Sequence, residues 1–560
     1  MPHMLKICLV LAVAIHVFSA SAQTASAPVT APALSTAQID AAIGQYYQPN
    51  EPGAVVLVAK DGKTIFRKAY GLANAAKGTP MTPDMQLRLG SITKQFTSTA
   101  ILMLVDEGKI RLEDDITRFL PDYPTKGKRI TVENLLNHTS GIASYTSQPD
   151  FGARMNEDFT VATMIDRFKN LPLDFEPGSA YRYNNSGYFL LGAIIEKVSG
   201  QSYADFLEQR IFQPLGMNDT AYEGKQHGKA TFAAGHTRAD QGFAPSAPLS
   251  MTQPYAAGAL VSTVDDLARW DVAVASGKLL KPATWQRAFA KTTLTDGKVS
   301  GYAYGWENGT VRGVPTIGHD GGINGFNTSA LRVPSAHVYV VVLRNTDSGT
   351  TNPGTVTKKL VALAVGKPYA EHAPVTLDAK ALDAYVGTYK IDDKTQRIVR
   401  REGDKLSMQR TGRLPVLLSA FSPTGFSIPG QFDWFEFSRN SEGAVVSMTL
   451  LSDGEPQVSP RVGDLPPERA VVKLAPATFD KLVGRYQMHP TMVLELTREG
   501  DRFFATATRQ AKLEIFPASA TVFFAKVVAA ELHAENDAAT GAPVLVLHQN
   551  GAQLRGTRLP

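Results

Sequence analysis

Ser91 and Lys94 stand one helical turn apart in Leu89-Gly90-Ser91-Ile92-Thr93-Lys94-Gln95-Phe96, where a polar turn runs into a long apolar stretch. The periodicity of Ile92, Phe96, Ala100, Leu102, Met103 and Val105 predicts a helix from Ser91 to Glu107, stopped by Gly108. Ser91 then lies at a helix N-terminus, where free N–H groups and the helix dipole favour developing negative charge. A hydroxyl is a poor nucleophile until a neighbour takes its proton, and a lysine does so only when burial or nearby charge lowers its pKa from about 10.4. Ser-x-x-Lys alone is a weak signal in a chain of 560 residues, so its weight depends on what else the chain supplies.

Two further stretches supply it. In Tyr181-Arg182-Tyr183-Asn184-Asn185-Ser186-Gly187-Tyr188 a loop places Tyr183 and Asn185 just before a helix. A phenol beside a charged lysine can ionise in part and relay protons, and a side-chain amide can bind both the lysine and a substrate amide. Ile317-Gly318-His319-Asp320-Gly321-Gly322-Ile323-Asn324-Gly325-Phe326 reads as a strand ending in glycines, which let a ligand approach the backbone and offer an N–H to an oxyanion. His138, in the turn Asn137-His138-Thr139-Ser140-Gly141, reads as a structural hydrogen-bonding residue at a helix end. Tyr304, Trp306 and Phe326 read equally well as pocket lining or core.

The elements that must position these residues follow from local signals. Ser35 caps a helix through Ile39, Ile43 and Tyr46, and Asp61-Gly62 joins strands Gly53–Ala59 and Thr64–Tyr70 as a hairpin. Residues 109–300 are mostly helical, with Thr131 capping Val132–Asn137, a buried helix Ser186–Ser199 closed by Gly200, a helix Tyr203–Ile211, and Thr263 with Asp266 capping a helix that ends near Ser276. Strands are expected at Gly301–Trp306, Thr316–His319, Thr328–Val333 and Val338–Arg344, then a helix Thr355–Val365. Strands at both ends with helices between predict an α+β unit over residues 35–366: one antiparallel sheet built from the two ends, flanked by helices, with a helical insert and a cleft between them. Beyond a linker at 367–377 the texture changes to short alternating runs. Leu382-Asp383-Ala384-Tyr385-Val386-Gly387-Thr388-Tyr389 and Arg401-Glu402-Gly403-Asp404 return at equal spacing as Phe479-Asp480-Lys481-Leu482-Val483-Gly484-Arg485-Tyr486 and Arg498-Glu499-Gly500-Asp501. Two antiparallel β-barrels, 378–465 and 477–560 with a linker at 466–476, are expected.

Composition narrows the setting. A hydrophobic share of 43% with 19% charged residues is that of an ordinary globular protein, and a net charge of +5 without a basic run argues against nucleic acid. Residues 1–22 read as a secretory signal: Lys6, the apolar run Ile7–Phe18, then Ala20-Ser21-Ala22 as a cleavage site. A flexible leader at 23–34 follows, and the protein is expected to be exported, periplasmic or secreted, with no membrane span. The one cysteine, Cys8, lies in that segment, so the mature chain has no thiol for a disulfide, a metal or a nucleophile.

In this order, Ser91/Lys94, Tyr183/Asn185 and His319/Gly321 resemble the Ser-x-x-Lys, Tyr-x-Asn and Lys/His-x-Gly motifs of the serine β-lactamase and penicillin-binding-protein superfamily, in its class C branch with D-aminopeptidases and esterases (the S12-like peptidases). Leu135-Leu136-Asn137-His138-Thr139-Ser140-Gly141, Tyr188-Phe189-Leu190-Leu191-Gly192 and Gly258-Ala259-Leu260-Val261-Ser262-Thr263 add to the resemblance, and the two trailing barrels are similar to the D-aminopeptidase layout. The resemblance implies that Ser91 is acylated with Lys94 as its base, that Tyr183 protonates the leaving group, that Asn185 orients the substrate amide, and that the N–H groups of Ser91 and Gly322 form an oxyanion hole. His319, Asp320, Gly321 and Gly322 would line the substrate, and no metal or organic cofactor is required. Where β-lactamases carry a lysine for the substrate carboxylate, this chain has His319 followed by Asp320, both weakening attraction for a carboxylate. Amide hydrolysis of small or D-amino-acid peptides, cell-wall peptides among them, is therefore expected ahead of ester or β-lactam hydrolysis. A non-hydrolytic penicillin- or peptide-binding sensor is the alternative from another class.

Overall fold

The computed structural model describes residues 34–560 except 149, 226–227, 240, 350–351, 454–455, 468, 490–491, 508–511, 527, 529, 538–540, 550–551 and 560, so the signal and leader expected at 1–34 lie, but for Leu34, outside the described residues. Ser35 and Gln38 form a reciprocal capping box that starts α1 (Thr36–Ile43). Strands β1 (Ala54–Lys60) and β2 (Lys63–Tyr70) form the expected hairpin, with Asp61 and Gly62 both at positive φ. They join β3 (Glu307–Val311), β4 (Val314–Ile323), β5 (Phe326–Val333) and β6 (Val338–Arg344) in a six-stranded sheet ordered β3-β4-β5-β6-β1-β2, antiparallel throughout. The two ends of the unit thus meet at the β1–β6 pair, Val56 opposite Val342.

Because side chains alternate along a strand, the sheet carries two apolar faces. Val55, Leu57, Val341 and Leu343 pack into the large core shared with the helical half. Val56, Val58, Val340 and Val342 pack against α1 and the closing helix Pro353–Ala364. Through the large core runs α2 (Thr93–Asp106), fed by a tight turn at Gly90–Ile92 that holds Ser91. Every residue of α2 from Thr93 to Leu104 is buried, so its polar residues need partners. Most find them: Thr97 donates to Ala256 O (2.7 Å), Gln95 Oε1 accepts from Trp270 (3.0 Å), and Thr93 Oγ1 accepts from the Leu260 N–H (3.2 Å), while Gln95 Nε2 has none among the described residues. The helix is thereby bolted to the 256–260 segment, which the sequence reading left without a role.

The strand expected at Gly301–Trp306 is corrected. Residues 302–306 are buried consecutively rather than alternately, Gly305 has φ +76°, and a Cβ there would stand 2.6 Å from Lys94 O. The segment wraps around α2, and pairing begins only at Glu307. β4 is longer than expected. Since β3 pairs only with 314–318, one edge of β4 from His319 onward is left without a strand partner beside the Ser91 turn.

The chain from Gly387 to Gly463 and from Gly484 to Arg558 closes two eight-stranded barrels. The sequence repeat is a structural one: Arg401 bonds Asp383 as Arg498 bonds Asp480, each at 2.6 Å, and Tyr389 and Tyr486 each donate to a carbonyl four residues back. The first barrel docks on the β3–β4 turn, where Asp453 accepts from the Arg312 N–H (3.2 Å) and from Tyr369 (2.5 Å). Among the described residues no helix is long and apolar enough to cross a membrane.

Candidate active site

Ser91 sits where three segments converge: the turn into α2, the unpaired edge of β4, and the head of helix α4 (Asn185–Ser199), which follows the short α3 (Val132–Leu136). Gly90 makes the first approach possible. Its φ is +53°, and a Cβ there would lie 3.0 Å from Gly322 N, so the Ser91 turn presses directly on the β4 backbone at Gly322. The Gly322 N–H thus lies against the residue that precedes Ser91, which puts the strand donor expected for an oxyanion hole beside the serine turn.

Lys94 is fully buried, and its Nζ reaches Ser91 Oγ (2.9 Å), Asn185 Oδ1 (2.9 Å) and Ala257 O (2.8 Å). Among the described residues no carboxylate pairs with it, and burial alone drives its pKa well below the ordinary lysine value. The three partners show how a neutral amine fits. The Ala257 carbonyl and the Asn185 amide oxygen only accept, so they take the two amine protons. The lone pair is left facing the one group of the three that can donate, the Ser91 hydroxyl. Asn185 is oriented for this by donating its own Nδ2–H to Thr146 Oγ1 (3.2 Å).

Tyr183 lies over the same amine, its ring centroid 4.8 Å from Nζ. Its hydroxyl is buried without a hydrogen-bond partner of normal geometry. Burial raises its pKa well above 10, an effect that the nearby Ser91 hydroxyl offsets only in part. Burial thus works against the expected partly ionised phenol beside a charged lysine: it favours the uncharged amine at Lys94 and the protonated phenol at Tyr183. Asn184 sets both neighbours by capping α4, its Oδ1 accepting from Gly187 N–H (2.7 Å) and its Nδ2 donating to Ile142 O.

His319 and Asp320 depart from the sequence reading. The His319 Nδ1 faces the Asp320 carbonyl (2.5 Å), an acceptor, so that nitrogen carries the proton and Nε2 accepts from the Tyr302 hydroxyl (2.9 Å). Burial, helped by Lys94, pushes its pKa down to about 3. With both ring nitrogens engaged inside the protein, the His319 side chain has no polar atom left for substrate. Its part is to brace the β4 edge. Asp320, one residue on, points to the opposite face, toward Gly354 and Lys358 beneath the first barrel, and so cannot bind substrate at Ser91. Gly321 is packed rather than open, since a Cβ there would meet Leu89 O at 2.0 Å.

The cleft itself is a pocket of about 160 Å³ opening on Ser91, walled by Tyr145, Phe151, Leu249, Pro254 and Ile323. Among the described residues, no acidic or basic side chain lines it. Tyr304 and Trp306 are buried core residues, and Phe326 packs on Phe232 outside this lining. Missed by sequence reasoning are Ala257, whose carbonyl holds Lys94, and Tyr302, whose hydroxyl meets His319 Nε2. A backbone acceptor carries no sequence signal, and Tyr302 lay in the misread strand. Among the described residues, no cluster of His, Cys, Asp and Glu could hold a metal ion.

Comparison with known proteins agrees with this arrangement. The chain is 28% identical to a penicillin-binding protein of Bacillus subtilis (strain 168), over 75% of this chain and 96% of that protein. It is 29% identical to protein flp of Staphylococcus aureus (strain MRSA252), over 56% of this chain and 64% of that one. Among solved structures, the octameric penicillin-binding protein homologue from Pyrococcus abyssi shares the fold (TM-score 0.55, 24% identity, 76% of this chain and 98% of that one). D-amino acid amidase from Ochrobactrum anthropi SV3, solved with D-phenylalanine, matches with TM-score 0.51 and 25% identity over 59% of this chain and 98% of that one. Residues 371–464, which span the first barrel, match a domain of unknown function, DUF3471. The Beta-lactamase family model matches residues 39–364, more than half the sequence, and the chain belongs to that family.

Proposed function

We propose that the protein is an exported serine hydrolase that works through an acyl-enzyme on Ser91 and cleaves amide bonds of small, D-amino-acid-containing substrates. The observation that carries the reading is the buried Lys94 amine, 2.9 Å from Ser91 Oγ, with its two protons committed to Asn185 and Ala257. In the first step Lys94 takes the Ser91 proton as Oγ attacks the substrate carbonyl, and the N–H groups of Ser91 and Gly322 receive the oxyanion. Tyr183 gives its proton to the leaving amine and recovers one through Lys94. Water then attacks the acyl-enzyme along the same path in reverse.

The D-amino acid amidase likeness supports the amide class. The pocket beside Ser91 adds a limit. At about 160 Å³ it is close to the ~150 Å³ cavity that takes a benzene ring, and with no charged wall it favours an uncharged, phenyl-sized group over a carboxylate. That same neutrality favours a second reading, ester hydrolysis, since no fixed charge selects an amine or acid terminus. Residues 1–22 as a cleaved signal complete the reading, with Gln23 as the first residue of the mature chain, which N-terminal sequencing of exported protein would check.

The test is a panel of D-phenylalanine p-nitroanilide, D-alanine p-nitroanilide, p-nitrophenyl acetate and nitrocefin, run beside mass spectrometry of the fluorophosphonate-treated protein. Turnover of the D-phenylalanine anilide with an adduct on the Ser91 peptide is expected. Fast nitrocefin hydrolysis with no anilide turnover would overturn the amide reading, and stable labelling without any turnover would favour a sensor. Tyr183→Phe sharpens it: removing an unpartnered buried hydroxyl leaves the melting temperature unchanged or higher, while turnover falls by about 100-fold.

A further inference from the structure

His138 follows α3 in a left-handed conformation (φ 60°) and is 1% exposed. That turn directs two of its acceptors at one short segment. Its carbonyl accepts from the Arg182 N–H (3.0 Å), and its ring Nδ1 accepts from the Asn184 N–H (3.1 Å). The residues on both sides of Tyr183 are thus held by one histidine. The face of its ring lies 4.4 Å from the Tyr183 ring, centroid to centroid. Nδ1 can accept only if it is bare, which places the ring proton on Nε2. That atom is buried without a hydrogen-bond partner, among the rings of Tyr183, Tyr188 and Tyr302.

A role in closing the end of α3 does not account for this placement. That end is closed by Asn137 N–H on Glu133 O (3.0 Å) and Thr139 N–H on Asn134 O (2.9 Å), with the imidazole uninvolved. Two site positions, on either side of Asn184, depend instead on the segment His138 grips: Tyr183, and Asn185, which holds Lys94 at 2.9 Å.

We propose that His138 is a positioning residue for the reaction, anchoring the Tyr183–Asn185 segment through its Nδ1 acceptor and its ring face so that the phenol and the amide both address Lys94 and Ser91. The inference rests on the reading of Ser91 as an acylated nucleophile. It does not make His138 a proton carrier, since the ring touches neither substrate nor Ser91.

Three substitutions in the full-length protein separate the acceptor from mere bulk. His138→Asn places a carbonyl oxygen where Nδ1 stands, His138→Gln places it one bond too far, and His138→Phe keeps a ring but no acceptor. Each variant is titrated with fluorophosphonate so that rates refer to competent sites, and kcat and KM are read with p-nitrophenyl acetate. Displacement of a catalytic segment by about 1 Å can cost 100-fold, so His138→Gln and His138→Phe are expected to lose about that factor in kcat with KM changed less than about threefold, and His138→Asn to recover to within about fivefold of wild type. Hydrogen exchange of the Asn184 amide supplies a readout free of turnover: slow in wild type and His138→Asn, fast in the other two. Equal losses in the Asn and Gln variants, full kcat in His138→Phe, or equal Asn184 protection in all would overturn the proposal. Should His138→Phe not fold, the Asn–Gln pair makes the same comparison. Absence of Ser91 labelling in wild type would instead sink the hydrolase reading, and the ranking of Asn184 exchange would still decide the anchor.

Discussion

Exchange of Lys94 for methionine is expected to lower kcat/KM at pH 7 by about 10³–10⁴-fold while the protein still folds. Methionine matches the length and shape of the fully buried lysine stem, so the packing among Tyr183 and Tyr188 survives. What disappears is the amine 2.9 Å from Ser91 Oγ that the proposed reaction uses as its base. A pH signature accompanies the loss. In wild type the neutral amine is the active form, so kcat/KM rises with pH through the depressed Lys94 pKa and then levels. Stability follows the same group. Between that depressed pKa and about 10.4, the unfolded chain carries a proton on Lys94 that the folded chain does not, so wild-type stability rises with pH across the window. The methionine variant lacks this contribution. Urea unfolding at a series of pH values should therefore show wild type gaining on the variant from pH 7 to pH 10. Parallel curves, or a variant with more than a tenth of wild-type activity, would mean that Lys94 is charged in the folded protein and that the base lies elsewhere.

Much of this architecture is written in short-range signals that do not depend on tertiary context. Asp61-Gly62 needs two positive φ values, Thr131 caps α3 together with Asn134, and Gly200 ends α4 in the left-handed region. The barrel repeat was legible for a similar reason: its residues, Asp383 with Arg401 and Asp480 with Arg498, form the same local ion pair in each copy. Motif spacing placed Ser91, Lys94, Tyr183 and Asn185, and the fold brings them to one point. What the sequence concealed is long-range or electrostatic. Whether Lys94 is neutral depends on burial by residues far along the chain, and which way Asp320 points depends on the parity of β4, which a one-residue shift would invert. The run Tyr302 to Trp306 looked like a strand because the β-formers Tyr302, Tyr304 and Trp306 alternate with small residues, yet Gly305 lets it pack close against α2 instead.

The residues gathered at Ser91 also share a dependence on contact between the two halves of the unit. Lys94 comes from α2, Asn185 from the head of α4, and Gly322 from the sheet, while Ala257 joins them from a loop that α2 grips through Thr97. None of these segments holds the site by itself. The arrangement is stiff because each partner fills a polar vacancy that would otherwise be buried and unpaired, such as the Asn185 Oδ1 and the Ala257 carbonyl. Burial favours the uncharged forms of Lys94, Tyr183 and His319, and among the described residues no carboxylate pairs with Lys94.

The closeness of the Ser91 turn to β4 leads to a second large effect, confined to one of two adjacent glycines. Gly321→Ala is expected to cut kcat/KM by about 10²–10³-fold and to lower stability by about 1–3 kcal/mol. Its new Cβ would stand 2.0 Å from Leu89 O and 2.3 Å from Thr328 Oγ1, and the carbonyl belongs to the backbone that leads into Ser91. Thr328 donates to that same carbonyl at 2.8 Å, so the turn cannot retreat without breaking the bond that fixes it to the sheet. Either the turn or the strand must move, and the N–H groups of Ser91 and Gly322 then part. Gly322→Ala is the control. Its Cβ would meet nothing nearer than Asn327 Oδ1 at 3.3 Å, a side-chain atom free to shift, on the face away from Leu89. Activity within about tenfold of wild type is expected there, because the backbone N–H is retained. Steady-state rates on p-nitrophenyl acetate and urea midpoints for the two variants decide the matter. Equal effects at the two positions would show that the pairing of the Ser91 turn with β4 does not set the oxyanion geometry.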